Sequence, residues 1–198
     1  MKHSALGFRV HSGWTALVAV SLQKNSLTVL ARQRVHLVET FTYEFRQPYH
    51  TAQNMPLDKA RDFVSRIQSE ARRLAHRAIL GMQSDLQTQD FALKSCGLLL
   101  ASGKPLPNLG KILASHALIH TADGELFREA ILHASGRCGL GNFIVKEREL
   151  LDRAVEAFRH KPSDLMRRAT ELGRPFGAPW SQDEKFATLA GWLALSAS

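Results

Sequence analysis

The chain has 198 residues, 44% of them hydrophobic, enough to bury a full core and too few to make two domains the default. Its formal net charge of +8 favours anionic partners, nucleic acid foremost, because a positive field raises the local concentration of polyanions. The two cysteines, Cys96 and Cys138, lie far apart without CxxC spacing, which argues against a disulfide framework or a cysteine zinc site and fits a reducing, cytoplasmic compartment.

Arg9 and His11 interrupt the apolar N-terminal stretch, and no apolar run approaches bilayer length, so neither a signal peptide nor a membrane span is expected. Residues 6–22 are rich in apolar and β-branched types, and residues 27–38 follow the polar turn Gln23-Lys24-Asn25-Ser26, which reads as a hairpin. A third strand is expected over residues 35–45, where Thr40, Thr42 and Glu44 alternate with Phe41, Tyr43 and Phe45. Pro56 suits the first turn of a helix reaching about residue 80, with an apolar stripe of Leu57, Ala60, Phe63, Val64, Ile67, Ala71 and Leu74. Lys59, Arg66, Arg73 and Arg77 fall on another face, a ridge that could track a phosphate backbone. Asp62 and Glu70, within a turn of Arg66 and Arg73, would instead make it an ordinary solvated face.

The continuous apolar run of residues 96–101 reads as a strand covered on both sides. A long helical region over residues 107–135, with a break near Thr121 or Gly124, leads to a short strand at residues 142–145. Helices are expected over residues 147–160, 163–172 and 181–195.

This order of elements resembles that of the ribonuclease H-like superfamily. Ala5-Leu6-Gly7-Phe8-Arg9-Val10-His11-Ser12-Gly13 resembles the first strand of RuvC-type Holliday-junction resolvases, where an Asp carries the first metal-binding acid. Residues 114–151 resemble that family's long helix, next strand and following helix start, and Ser181-Gln182-Asp183-Glu184-Lys185-Phe186-Ala187-Thr188-Leu189-Ala190 resembles its last helix, which bears acids one turn apart. The resemblance implies an α/β fold, a mixed sheet with three antiparallel N-terminal strands followed by parallel ones and flanked by helices, and one domain over residues 1–198.

The resemblance also implies a two-metal nuclease site, and here the residues depart from it. Two-metal phosphoryl transfer needs several carboxylates converging on ions about 4 Å apart. Arg9 stands at the first acid, nothing acidic lies between Asp90 and Asp123, and Phe186 replaces the later acid of the last helix. Asp183 alone of four remains. The expectation is therefore a noncatalytic or strongly diverged domain that binds an anionic partner, with nucleic acid the leading candidate, and that uses no cofactor.

If the fold holds, Arg9, His11, Lys104 and Asp183 gather at the strand ends, either as a small-anion pocket or with Arg9 and Asp183 paired in place of the metal. Ser181-x-x-Glu184 is a capping box, which gives Asp183 a helix-start role as well. His116-x-x-x-His120 puts two imidazoles on one helix face; with Glu125, or Asp123 or Glu129, as an oxygen ligand they form an alternative divalent-metal or acid/base site. Tyr49 and His50, after Pro48, could stack on a base. A structural or assembly module is the third functional class.

Overall fold

The computed structural model describes residues 1–24, 26–101 and 105–197. In chain order the elements are β1 (Lys2–His11), β2 (Trp14–Gln23), β3 (Ser26–His36), α1 (Tyr43–Arg46), α2 (Pro48–Ala52), α3 (Leu57–Thr88), β4 (Phe91–Leu100), α4 (Leu109–Leu113), α5 (His116–Arg137), β5 (Gly141–Lys146), α6 (Leu150–Phe158), α7 (Pro162–Leu172) and α8 (Gln182–Ser196). They build one five-stranded sheet of order β3-β2-β1-β4-β5. β1, β2 and β3 pair antiparallel, whereas β4 runs parallel to β1 and β5 parallel to β4.

Three antiparallel strands do open the fold, with different bounds from those expected. Seventeen apolar-rich residues are too long for one ordinary strand. The run turns at Ser12-Gly13, where Gly13 has φ +81°, a conformation that glycine adopts without a Cβ penalty. β3 then begins at Ser26 and has paired with β2 along its whole length by His36, so residues 35–45 supply no further strand. Leu37 and Val38 are buried in the loop that follows, and Phe45 stacks on Phe63 of α3, so the alternation there reflects anchoring of a loop and of α1.

α3 runs two turns beyond the expected end because Ile79, Met82 and Leu86 continue its buried stripe past Gly81. Leu57, placed on that stripe by its spacing, is exposed at the first turn. The break in the later helical region falls at Ala114 and Ser115, between α4 and α5, and Thr121 and Gly124 lie within α5.

β1 and β2 are continuous apolar runs because both of their faces are covered. On one side Leu6, Phe8, Leu17 and Leu98 pack with Ile67 and Ile79 of α3 and Phe127 and Ile131 of α5. On the other, Ala5, Val18, Leu99 and Val145 pack with Ala187, Ala190 and Trp192 of α8 and with α6 and α7. No described helix is long and apolar enough to cross a membrane.

Candidate functional site

α8 lies unusually close to the sheet. A Cβ placed on Gly7 would stand 1.7 Å from the carbonyl oxygen of Ala187, and one on Gly97 would stand 2.0 Å from that of Ala190. Only glycine at these two neighbouring strand positions lets the helix backbone rest directly on β1 and β4. The start of α8 is fixed as well. Ser181 caps it, with its Oγ accepting from the Asp183 N–H at 3.1 Å and the Glu184 carboxylate accepting from the Ser181 N–H at 2.7 Å.

Docked this way, α8 delivers Asp183 to the C-terminal end of β1. Arg9 donates from Nη1 to Asp183 Oδ1 at 2.6 Å, and its Nε and Nη2 donate to Glu147 Oε2 and Oε1 at 3.1 and 2.7 Å. His11 Nε2 lies 2.8 Å from the same Asp183 oxygen, and the guanidinium sits over the Phe186 ring, 5.1 Å from its centroid. Burial works against the Arg9 cation, but the hydrogen bonds and charges of Glu147 and Asp183 outweigh it, so the group is held protonated more firmly than a free arginine. Every arm of the guanidinium faces a carboxylate. The cluster is charge-compensated within itself, in a fork geometry suited to carboxylate pairs.

Arg9, His11 and Asp183, expected together from the sequence, are together; Lys104 lies outside the described residues. Glu147, which opens the short 3-10 turn after β5, was not among the expected members. The available signal was positional. Glu147 directly follows a strand parallel to the one carrying Arg9, two residues past Val145, so it belongs to the same set of strand ends.

Beside the cluster, planar groups form a row over the ends of β2 and β3. His11 stacks on Trp14 at 4.4 Å, the Arg34 guanidinium covers Trp14 at 3.8 Å, and Phe41 stacks with His36 at 4.4 Å while Arg46 covers it at 4.5 Å. Arg34 lines two grooves. One, with Trp14, Arg32 and Pro179, runs to Asp183 and Glu184; the other, with His36 and Glu39, runs to Arg77 of α3. Arg32 donates to the Pro179 carbonyl oxygen, which ties β3 to the segment before α8.

Lys59, Arg66, Arg73 and Arg77 are all exposed on α3, on the side of the sheet away from α8. Arg73 pairs with Glu39, and Glu70, expected to pair along the helix, instead accepts the Glu39 N–H at 2.7 Å, so both tie α3 to the loop after β3. Tyr49 packs against the core, where burial pushes its hydroxyl pKa up. His50 contacts Asp123. It stands with His116 and His120 in one group, and Glu125 pairs with Arg128 at 3.2 Å instead of joining it. Glu129 is taken by Arg72.

No protein-family model matches the chain, and no curated protein matches it. Among solved structures it is similar to T. thermophilus RuvC in complex with a Holliday junction substrate, with 10% sequence identity, 96% of this chain and 91% of that chain covered, and a TM-score of 0.54. A second structure, of Thermus thermophilus RuvC, shares 10% identity over 96% of this chain and 92% of the other, at a TM-score of 0.49. The chain has a RuvC-like, ribonuclease H-like α/β fold.

Proposed function

We propose that this chain is a single ribonuclease H-like domain that binds nucleic acid without cleaving it by two-metal chemistry. The observation that carries the reading is the Arg9 guanidinium, bonded on one side to Glu147 and on the other to Asp183 at the strand ends. The residues there do not fit a pair of divalent ions. A cation brought within about 4 Å of Arg9 would meet a repulsion of about 4 kcal/mol per unit charge at an effective dielectric of about 20, and both carboxylates are already engaged.

Nucleic acid as partner is supported by the net charge of +8 and by the row of aromatic and guanidinium planes next to the cluster. Planar side chains give bases a stacking surface, and exposed Arg34 supplies a cation at the junction of the two grooves. Through Arg77 the second groove joins this surface to the basic face of α3, so one track round the β3 edge would use both. A small-anion pocket at Arg9 is less well supported, because the donors such an anion would need already face carboxylates.

The test is binding to branched, duplex and single-stranded DNA across a salt series, with cleavage followed in the same samples with and without magnesium or manganese. Salt-sensitive binding without cleavage is the expected result. Magnesium-dependent cleavage would overturn the noncatalytic half of the reading, and absence of binding at low salt would overturn the other half.

A further inference from the structure

We propose that His50, His116 and His120 bind one divalent transition metal, at a site on the opposite side of the sheet from α8. One ligand atom from each of the three histidines lies within 4.8 Å of the others. Their rings meet edge to face, with His116 and His120 at 4.4 Å and 89°, and His50 and His120 at 4.4 Å and 67°. The three rings stand edge to face, not stacked, and one nitrogen of each falls in the same small space. Zinc with Zn–N bonds of about 2.0–2.1 Å needs the nitrogens about 3.3 Å apart, so modest side-chain rotation closes the site.

The buried partner of His50 is the second observation. His50 Nδ1 lies 2.5 Å from Asp123 Oδ2, and the other Asp123 oxygen accepts the Tyr49 N–H at 2.7 Å. The Asp123 side chain is 3% exposed. This carboxylate fixes the His50 tautomer, leaving the Nε2 lone pair for a ligand, and it adds a negative charge that offsets the helix-dipole cost of placing a cation near the start of α5. A carboxylate behind a histidine is the support that metal-binding imidazoles commonly have. His116 and His120, exposed one turn apart at the head of α5, complete a three-nitrogen face. Three protein ligands leave a fourth tetrahedral position for water. The ligand set differs from the sequence expectation in one member: His50 takes the place of Glu125.

The experiment uses the untagged full chain, stripped with a chelator and titrated with zinc against a chromophoric competitor, and separately with cobalt(II) followed by visible absorbance. Expected are one equivalent of tightly bound zinc and the intense bands of tetrahedral cobalt without thiolate charge transfer. His116→Ala and His120→Ala change exposed residues and are expected to keep the native circular dichroism while weakening zinc about tenfold or more. Asp123→Asn keeps an acceptor for Nδ1–H but not the charge; as a positioning change it is expected to weaken zinc by about tenfold and to shift the cobalt bands. Zinc affinity unchanged in both histidine variants, or cobalt remaining octahedral in the wild type, would overturn the site. DNA binding is read separately, so failure here leaves the nucleic-acid reading standing.

Discussion

Arg9 and Asp183, 174 residues apart in the chain, are joined by a 2.6 Å hydrogen bond between guanidinium and carboxylate. The same guanidinium bonds Glu147 through Nε and Nη2, so one side chain bridges two carboxylates from distant parts of the chain.

Arg9→Ala leaves two partly buried carboxylates facing each other. Breaking a fully buried pair costs about 3–5 kcal/mol; with Glu147 at 37% and Asp183 at 21% exposure, solvent screening reduces the expected loss to about 1–2 kcal/mol. Urea denaturation measures it, and a double-mutant cycle with Asp183→Asn should return a coupling energy of similar size. Millimolar magnesium should raise the Tm of Arg9→Ala and leave that of the wild type unchanged. Equal response of both proteins would show that the guanidinium does not hold the cation position.

Arg34→Ala should weaken nucleic-acid binding about equally for all sequences and lower the slope of log K against log salt by about one. Trp14→Ala removes the ring on which His11 and Arg34 are stacked, so it should weaken binding of all strands by loosening Arg34, with little effect on the salt slope. Fluorescence anisotropy at several salt concentrations separates the two effects. A pair of variants that both bind like the wild type would place the interface elsewhere.

Gly7→Ala should destabilise the fold by about 3 kcal/mol, since the added methyl meets the Ala187 carbonyl and α8 must lift. Gly81→Ala is the control, because nothing lies within 4 Å of that position and helix propensity alone should stabilise by about 0.5–1 kcal/mol. Thermal and chemical denaturation of the two variants should therefore move in opposite directions.

Cys96 is buried in the core, and burial pushes its thiol pKa up to about 12. Because the folded value lies above the ordinary 9.0, the folded state keeps this proton where the unfolded chain loses it. The associated stability is complete below pH 9 and is lost as pH rises from 9 through about 12. At pH 8 a timed thiol titration should find Cys138 reacting first and Cys96 only on unfolding. Equal rates for the two thiols would contradict this core placement.

Local periodicity made most of the architecture legible. The stripe of α3, the apolar run of β4 and the capping box of α8 are all signals carried by residues within a few turns of each other. The alternation of residues 40–45 misled for the same reason, since period two marks alternate burial and not pairing, and pairing is decided by whether a neighbouring strand edge is free. The site was half legible. Arg9 and Asp183 could be assembled from a resemblance in element order, whereas Glu147 and His50 owe their positions to packing between distant segments. His50 in particular carried no motif; it enters the histidine group because Asp123, seven residues into α5, holds it.

The contact of α8 with the sheet runs from backbone to backbone, through Gly7, Gly97 and Gly191, with Ala187 and Ala190 opposite them. The height of Asp183, in the first turn of α8, is thus set in large part by backbone packing along the rest of the helix. Whatever side chain occupies that place is held at a set height above β1, whether it meets a metal ion, a guanidinium or water. Chemistry at these strand ends can change one side chain at a time without the scaffold having to be rebuilt.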